Sequence, residues 1–224
     1  MKPPVMTGKP LAAELGYPAS VIEAVPDELW EDFLPCGNIL PHVHPGIGDT
    51  VLNLGCGAGI DSLALMAHRG NGSGIVNLDI VYSVLLTASK AARKILPDRE
   101  CDWICADGEA LPFASGSFRW VMLNGVLNLF PDKGKLVGEL SRVLDAGGTV
   151  AGADLCRTGP LPDYFRDEPD AWAWCMSGAL TEEELDAAFE SAGFKKTGFA
   201  SERMDEFFSR ATFVYEKAAR ISRI

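Results

Sequence analysis

The apolar positions change period several times along the chain. TVLNL (50–54) is a short apolar run ending in glycines, and from Ile60 to His68 apolar residues recur at helical spacing. Strand, tight turn and helix are predicted. The unit then repeats, with GIVNLDI (74–80) reading as a strand and VYSVLLTASKAARKIL (81–96) as a helix ended near Pro97. WICAD (103–107) and RWVMLNG (119–125) predict two more strands, separated by the turn-rich ALPFASGSF. DKGKLVGELSRVL (132–144) predicts a helix stopped by Gly147 and Gly148, and TVAGADL (149–155) a fifth strand.

Outside this repeat the pattern is less regular. Residues 17–34 mix helical spacing with two prolines, predicting one or two short helices as a cap. The aromatic-rich 161–180 segment has no period and is expected to form a lid. Thr181 and Glu184 have capping-box spacing for a helix through Ala192, with Gly193 as its stop. KKTGFA and ATFVYEKA then predict a closing hairpin. Strands alternating with helices imply an α/β fold with a mostly parallel, doubly wound sheet, helices on both faces, and ligands bound at the carboxyl edge.

Length and composition narrow this picture. The 224 residues suffice for one well-buried core, 47% hydrophobic and 23% charged residues indicate a folded protein, and only Met1 to Pro10 is a candidate for disorder. A formal charge of −11, with no long Lys/Arg run, argues against nucleic acid as a partner. No apolar run reaches the roughly 20 residues of a spanning helix. MKPPVMTGKP lacks the apolar core of a signal peptide, so no membrane partner and a cytoplasmic location are expected. The six cysteines are widely spread without a CxxC pair, and read as free thiols.

The candidate chemistry lies at the strand ends. Leu54-Gly55-Cys56-Gly57-Ala58-Gly59 joins the first strand to the first helix, with glycine at 55, 57 and 59 and Ile60 where a dinucleotide fingerprint would need a third-spaced glycine. No Gly-Lys-Ser/Thr follows, which excludes a P-loop. Asp79 ends the second strand, where a carboxylate accepts from both ribose hydroxyls; alone it would equally be a solvated strand end. Asp107 ends the third strand before Gly108, suiting an acceptor for an adenine amino group; alone it would be a turn aspartate.

The GxGxG turn with Asp79 and Asp107 on consecutive strand ends resembles the class I S-adenosylmethionine-dependent methyltransferase family, as does DGEALPFASGSF before an apolar strand. The resemblance implies a Rossmann-like sheet of seven strands, an N-terminal helical cap over 1–48, a cofactor-binding domain over 49–224 forming one compact unit, and S-adenosylmethionine as cofactor. It assigns cofactor contacts to Asn53, Gly55, Cys56, Gly57, Gly59, Asp79, Ile80, Asp107, Gly108 and Asn124. Asn53 stands where the family usually has an acid.

YPASVIEAVPDELWEDFLPCGN, NGVLNLFPDKGKLVGELSRVL and WCMSGALTEEELDAAFESAGF resemble the arsenite methyltransferase family, covering about 16–194. The resemblance implies a small-molecule acceptor and gives Cys36 and Cys175 to catalysis as ligands of a metalloid, because soft thiolates hold trivalent arsenic with its lone pair free for the cofactor's methyl. The chain departs from the family at Gly125, where a third cysteine is expected; Cys156, at the end of the fifth strand, is a potential substitute. Methylation of a small organic O, N or C nucleophile, and non-catalytic binding of cofactor or metalloid, are the alternatives. For Cys36 and Cys175 the simpler reading is a small buried hydrophobe. His42 and His44 are either extra ligands, an acid–base pair or loop residues without a role. Cys101 and Cys105 are expected in the core, and His68 as a partner of its helix dipole.

Overall fold

The computed structural model describes residues 7–31, 33–69, 73–99, 101–165 and 168–219, without the side chains of His68 and Arg69. His68's expected dipole role and the disorder expected at residues 1–6 therefore lie outside what is described. Residues 8–10 are helical, contrary to the expected disorder, because α1 (Gly8–Glu14) buries Leu11 and Ala12. Two further short helices follow, α2 (Ala19–Ala24) and α3 (Asp27–Trp30). Pro18 and Pro26 stand immediately before them, where a residue with fixed φ and no N–H is tolerated.

The repeating unit folds as β1 (Thr50–Leu54), α4 (Ile60–Arg69), β2 (Gly74–Asp79), α5 (Tyr82–Ile95), β3 (Asp102–Cys105), β4 (Phe118–Asn124), α6 (Lys133–Val143) and β5 (Leu144–Arg157). α6 starts at Asp132, whose carboxylate accepts from the Lys135 N–H. The expected glycine stop is corrected: the helix ends at Val143 and runs directly into β5. Gly147 and Gly148 instead form an irregularity where β4's partners skip from Leu144 to Thr149. The lid carries a short helix, α7 (Pro169–Ala173). α8 (Glu182–Ser191) opens on the predicted Thr181–Glu184 capping box. β6 (Phe194–Arg203) and β7 (Phe208–Lys217) form the hairpin.

The seven strands lie in the order β3-β2-β1-β4-β5-β7-β6, parallel from β3 to β5, with β7 antiparallel to both its neighbours. Successive strand residues face opposite sides. Val51, Ile75, Met122 and Ala151 therefore pack under α4 and the N-terminal helices, whereas Leu52, Leu78, Leu123 and Val150 pack toward α6 and α8. Strand order reverses between β1 and β4, so Leu54 and Asn124 end side by side at the carboxyl edge, where such sheets open a crevice. Among the described residues no helix is long and apolar enough to cross a membrane.

Candidate functional site

Gly55, Gly57 and Gly59 all have positive φ, at 64°, 49° and 74°, which L side chains rarely adopt. Their uses differ. A Cβ at Gly55 would stand 2.2 Å from Val126, just past β4, and one at Gly59 2.5 Å from the Trp103 ring, so both glycines allow the protein to pack. Only Gly57 of the three faces open space. Its N–H donates to Asp79 Oδ2 at 2.9 Å, while Asp79 Oδ1 accepts from the Val81 N–H at 3.0 Å. The carboxylate thus ties the glycine turn to the end of β2. With room for about four hydrogen bonds, it keeps capacity for a diol. Ile80, Val81 and Tyr82 follow as an exposed apolar strip, Ile80 being 69% exposed.

Several sequence expectations on this side are corrected. Asp107 lies two residues beyond the end of β3, exposed, and its carboxylate accepts from the Glu109 N–H, which is the turn contact. Gly108 is buried and its bare face is filled by Phe130, 2.6 Å from where a Cβ would be. Cys105 is exposed, contrary to the expectation of a core residue, whereas Cys101 is half-buried and packs against the core on the α4 side. Asn53, 2% exposed, points away from the crevice: its amide donates to Ser62 Oγ, which donates to Asn77 Oδ1. An amide there completes a buried neutral network between β1, β2 and α4.

A cavity of about 290 Å³ opens at the β1–β4 switch, and its lining joins Gly55, Cys56 and Gly57 to Cys36, Asn124 and Cys175. Asn124 acts as a clasp for the N-terminal cap. Its Oδ1 accepts from the Cys36 N–H at 2.9 Å, and its Nδ2 reaches the Gly37 carbonyl, the Tyr17 hydroxyl and Asp61 Oδ2 at 2.9 to 3.1 Å. Tyr17 in turn donates to Asp61 Oδ1 at 2.6 Å. Burial pushes the Asp61 carboxyl up to about 6, against the downward pull of those two donors.

The two thiols meet around Asp154, near the end of β5. Cys36 Sγ lies 3.8 Å from Asp154 Oδ1, and Cys175 Sγ, within reach of the same carboxylate, lies 3.3 Å from the Gly125 carbonyl. Asp154 is 2% exposed and accepts from the Asn128 backbone N–H, the Asn128 side chain and the Leu155 N–H. Burial, then the Asp154 charge, pushes both thiols well above the ordinary cysteine range, so both are neutral S–H groups. Burial also raises Asp154, to about 6. Gly125 belongs to the same cluster: a Cβ there would point to within 3.6 Å of Cys36 Sγ.

Cys175 is the one non-glycine residue with positive φ, 61°, among the described residues. Such strain costs on the order of 1–3 kcal/mol and collects at functional sites. The lid that carries Cys175 is pinned by Trp172, whose Nε1 donates to the Leu129 carbonyl, and by the Lys133 ammonium 5.7 Å above the Trp172 ring.

Cys156 lies apart, in a recess with Arg157, Thr181 and Glu182, so it does not replace the missing third thiol. His42, which ends a short 3-10 turn (Leu40–His42), and His44 are exposed and do not line the cavity. Among the described residues no three His, Cys, Asp or Glu side chains are grouped to hold a metal ion. The sequence reading missed Tyr17, Asp61, Asn128 and Asp154. Two of them were visible as carboxylates in otherwise apolar settings, Asp61 in the helical run IDSLALM (60–66) and Asp154 inside the strand TVAGADL.

An open parallel sheet with a positive-φ glycine turn and an acid closing its second strand defines a Rossmann-like nucleoside-cofactor-binding protein. The family model described as a methyltransferase domain matches residues 47–193. The chain belongs to this methyltransferase family, and its cofactor is S-adenosylmethionine. It is similar to an arsenite methyltransferase of Halobacterium salinarum, 32% identical over 87% of this chain and 50% of that protein. It is also similar to a trans-aconitate 2-methyltransferase of Azoarcus, 33% identical over 62% of the chain and 52% of that protein. An arsenic(III) S-adenosylmethionine methyltransferase of Chlamydomonas reinhardtii shares the fold, with a TM-score of 0.74 and 24% identity over 92% of this chain and 76% of that one. The chain spans about half the length of the curated relatives it matches.

Proposed function

We propose that the chain methylates a small thiophilic acceptor, trivalent arsenic, held by Cys36 and Cys175. The observation that carries this reading is that two thiols, the half-buried Cys36 and the buried Cys175, line one small cavity together with the glycine turn. Asp79 has hydrogen-bonding capacity left for the ribose hydroxyls, Ile80 offers an apolar face for the adenine, and Gly55, Cys56 and Gly57 border the methionine half. The cofactor supplies an electrophilic methyl on a sulfonium sulfur. The protein's part is to hold the acceptor and that methyl group in reacting geometry.

The protonation of the thiols agrees with this. Two S–H groups exchanging with two hydroxyls of arsenous acid form two S–As bonds and release two waters, so no thiolate is left buried and unpaired. All six cysteines are free, which suits a reducing cytoplasm. A cavity of this size suits a small acceptor.

Methyl transfer from S-adenosylmethionine to arsenite, measured with excess thiol, should fall at least 100-fold in Cys175→Ser while affinity for S-adenosylhomocysteine stays within about twofold. Full activity in the variant would remove the thiols from the chemistry. Gly125 favours a second reading, methylation of a small organic nucleophile, since it leaves the cavity two thiols rather than three. Turnover of a carboxylate or hydroxyl acceptor that survives Cys175→Ser would select it.

A further inference from the structure

Among the described residues, Arg210 is the one basic residue in the cavity wall. It lies near the start of β7 and pairs with Leu155 of β5, so it stands at the third strand beyond β1, on the Cys36 side of the cavity and away from the glycine turn. Ala211 and Phe213 turn toward α6 and α8, which leaves Arg210 and Thr212 facing the cap, where a Cβ on Gly37 would stand 2.8 Å from the Thr212 methyl. Arg210 also lines a neighbouring recess of about 350 Å³, together with Cys36, Asn38 and Ser201. Cys36 and Arg210 are therefore a wall shared by two openings.

The guanidinium is underused. Its side chain is 17% exposed, and among the described residues it makes one hydrogen bond, from Nη1 to Glu14 Oε1 of α1 at 3.0 Å. Glu14 is 49% exposed, and an ion pair of that kind contributes little. Neither Glu14 nor Glu202, the cross-strand neighbour of Arg210 on β6, lines the cavity. A planar fork with N–H donors to spare at a partly desolvated wall matches a carboxylate through two parallel hydrogen bonds. We propose that Arg210 is a carboxylate-binding residue on the acceptor side, so that the small molecule seated against Cys36 carries a carboxylate. The inference goes beyond the thiol chemistry and holds for an arsenic or an organic acceptor; it rests on the cavity being the site of methyl transfer.

Two sources can bring that group. Arsenic held by Cys36 and Cys175 keeps a third position, to which Gly125 offers no sulfur. An external thiol R–SH reacts with the remaining As–OH to give R–S–As and water, with no change of oxidation state, and a carboxylate on R is then held by Arg210. In the organic reading the carboxylate belongs to the acceptor itself.

Two monothiols of equal length, 3-mercaptopropionate and 2-mercaptoethanol, test the first source. In methyl transfer to arsenite, the half-saturating concentration of the first relative to the second should rise about 10-fold or more in Arg210→Gln over wild type, the range of a charge-assisted hydrogen bond. The ratio cancels the thiols' own reactivity and any general damage in the variant. Arg210→Lys, which keeps the charge and loses the fork, should fall between. Glu14→Gln breaks the ion pair to α1 and spares the guanidinium, so it should leave the ratio within about twofold; a shift as large as that of Arg210→Gln would reduce Arg210 to a tie for α1 and overturn the inference. Calorimetric titration of the S-adenosylhomocysteine complex with succinate, without arsenite, tests the second source, and binding lost in Arg210→Gln assigns the carboxylate to an organic acceptor. A thiol ratio unmoved by Arg210→Gln, together with no Arg210-dependent succinate binding, refutes the subsite. So does a matching loss of S-adenosylhomocysteine affinity in Arg210→Gln, which would give Arg210 to the cofactor. Wild type that methylates arsenite with neither thiol removes the arsenic reading alone, and the succinate titration then decides the subsite.

Discussion

Gly57 and Gly59 are alike in sequence and opposite in use. Gly57 has a positive φ and open space beyond its missing Cβ, so Gly57→Ala meets only the conformational penalty, roughly 1–2 kcal/mol. Gly59→Ala adds a Cβ 2.5 Å from the Trp103 ring, and overpacking adds about 1–3 kcal/mol to the same penalty. Chemical denaturation should show Gly59→Ala as clearly the less stable variant. S-adenosylhomocysteine titration should show the larger affinity loss per kcal/mol of stability in Gly57→Ala; the reverse order would mean that the ligand does not approach that turn. Asn53 teaches the same lesson. It occupies the family's acidic position, yet its neighbours are Ser62 and Asn77, which an amide satisfies without burying a charge.

Among the elements, α8 is the one whose start was fully readable, because a capping box is a contact between residues three apart and requires no partner from elsewhere. Thr181→Ala removes the acceptor for the Glu184 N–H and should destabilise the protein by about 1 kcal/mol, read as a lower denaturation midpoint at unchanged m-value. A change below a few tenths would mean that the helix start is set by the β5 edge, where Cys156 bridges Leu180, instead of by the cap. The boundary between α6 and β5 was misread for the opposite reason. Gly147 and Gly148 look like a helix stop, but β4 pairs with Leu144 and draws the chain into the sheet before the glycines are reached.

At the scale of the whole molecule, buried carboxylates link stability to pH. The Asp61 carboxyl rises on folding from 3.8 to about 6, so the folded state binds its proton more tightly than the unfolded chain. Its stabilising contribution is complete below about pH 4 and is lost as pH rises through 6. The ligand-free protein should therefore lose up to a few kcal/mol from this group between pH 4 and 7, and Asp61→Asn should gain on wild type over that interval in urea titrations. A pH-independent difference between the two proteins would place the Asp61 charge in contact with solvent or a cation.

The alternation of strand and helix, the parallel sheet, the closing hairpin and the glycine turn were legible in the residues alone, because each depends on period, local sterics or neighbours a few positions apart. Asp79 was legible too, since a strand end fixes where its side chain emerges. What surrounds the cavity was legible only in part: the family resemblance pointed to Cys36, Asn124 and Cys175 but not to Tyr17, Asp61 or Asp154. These residues are far apart along the chain, Cys36 standing 118 positions from Asp154, and only the packing of the cap and lid on the β1–β4 edge brings them together. Whether a carboxylate there has a partner, whether a glycine makes room for ligand or for Trp103, and which thiols share a wall are questions of three-dimensional neighbourhood and burial, and periodicity carries no information about either.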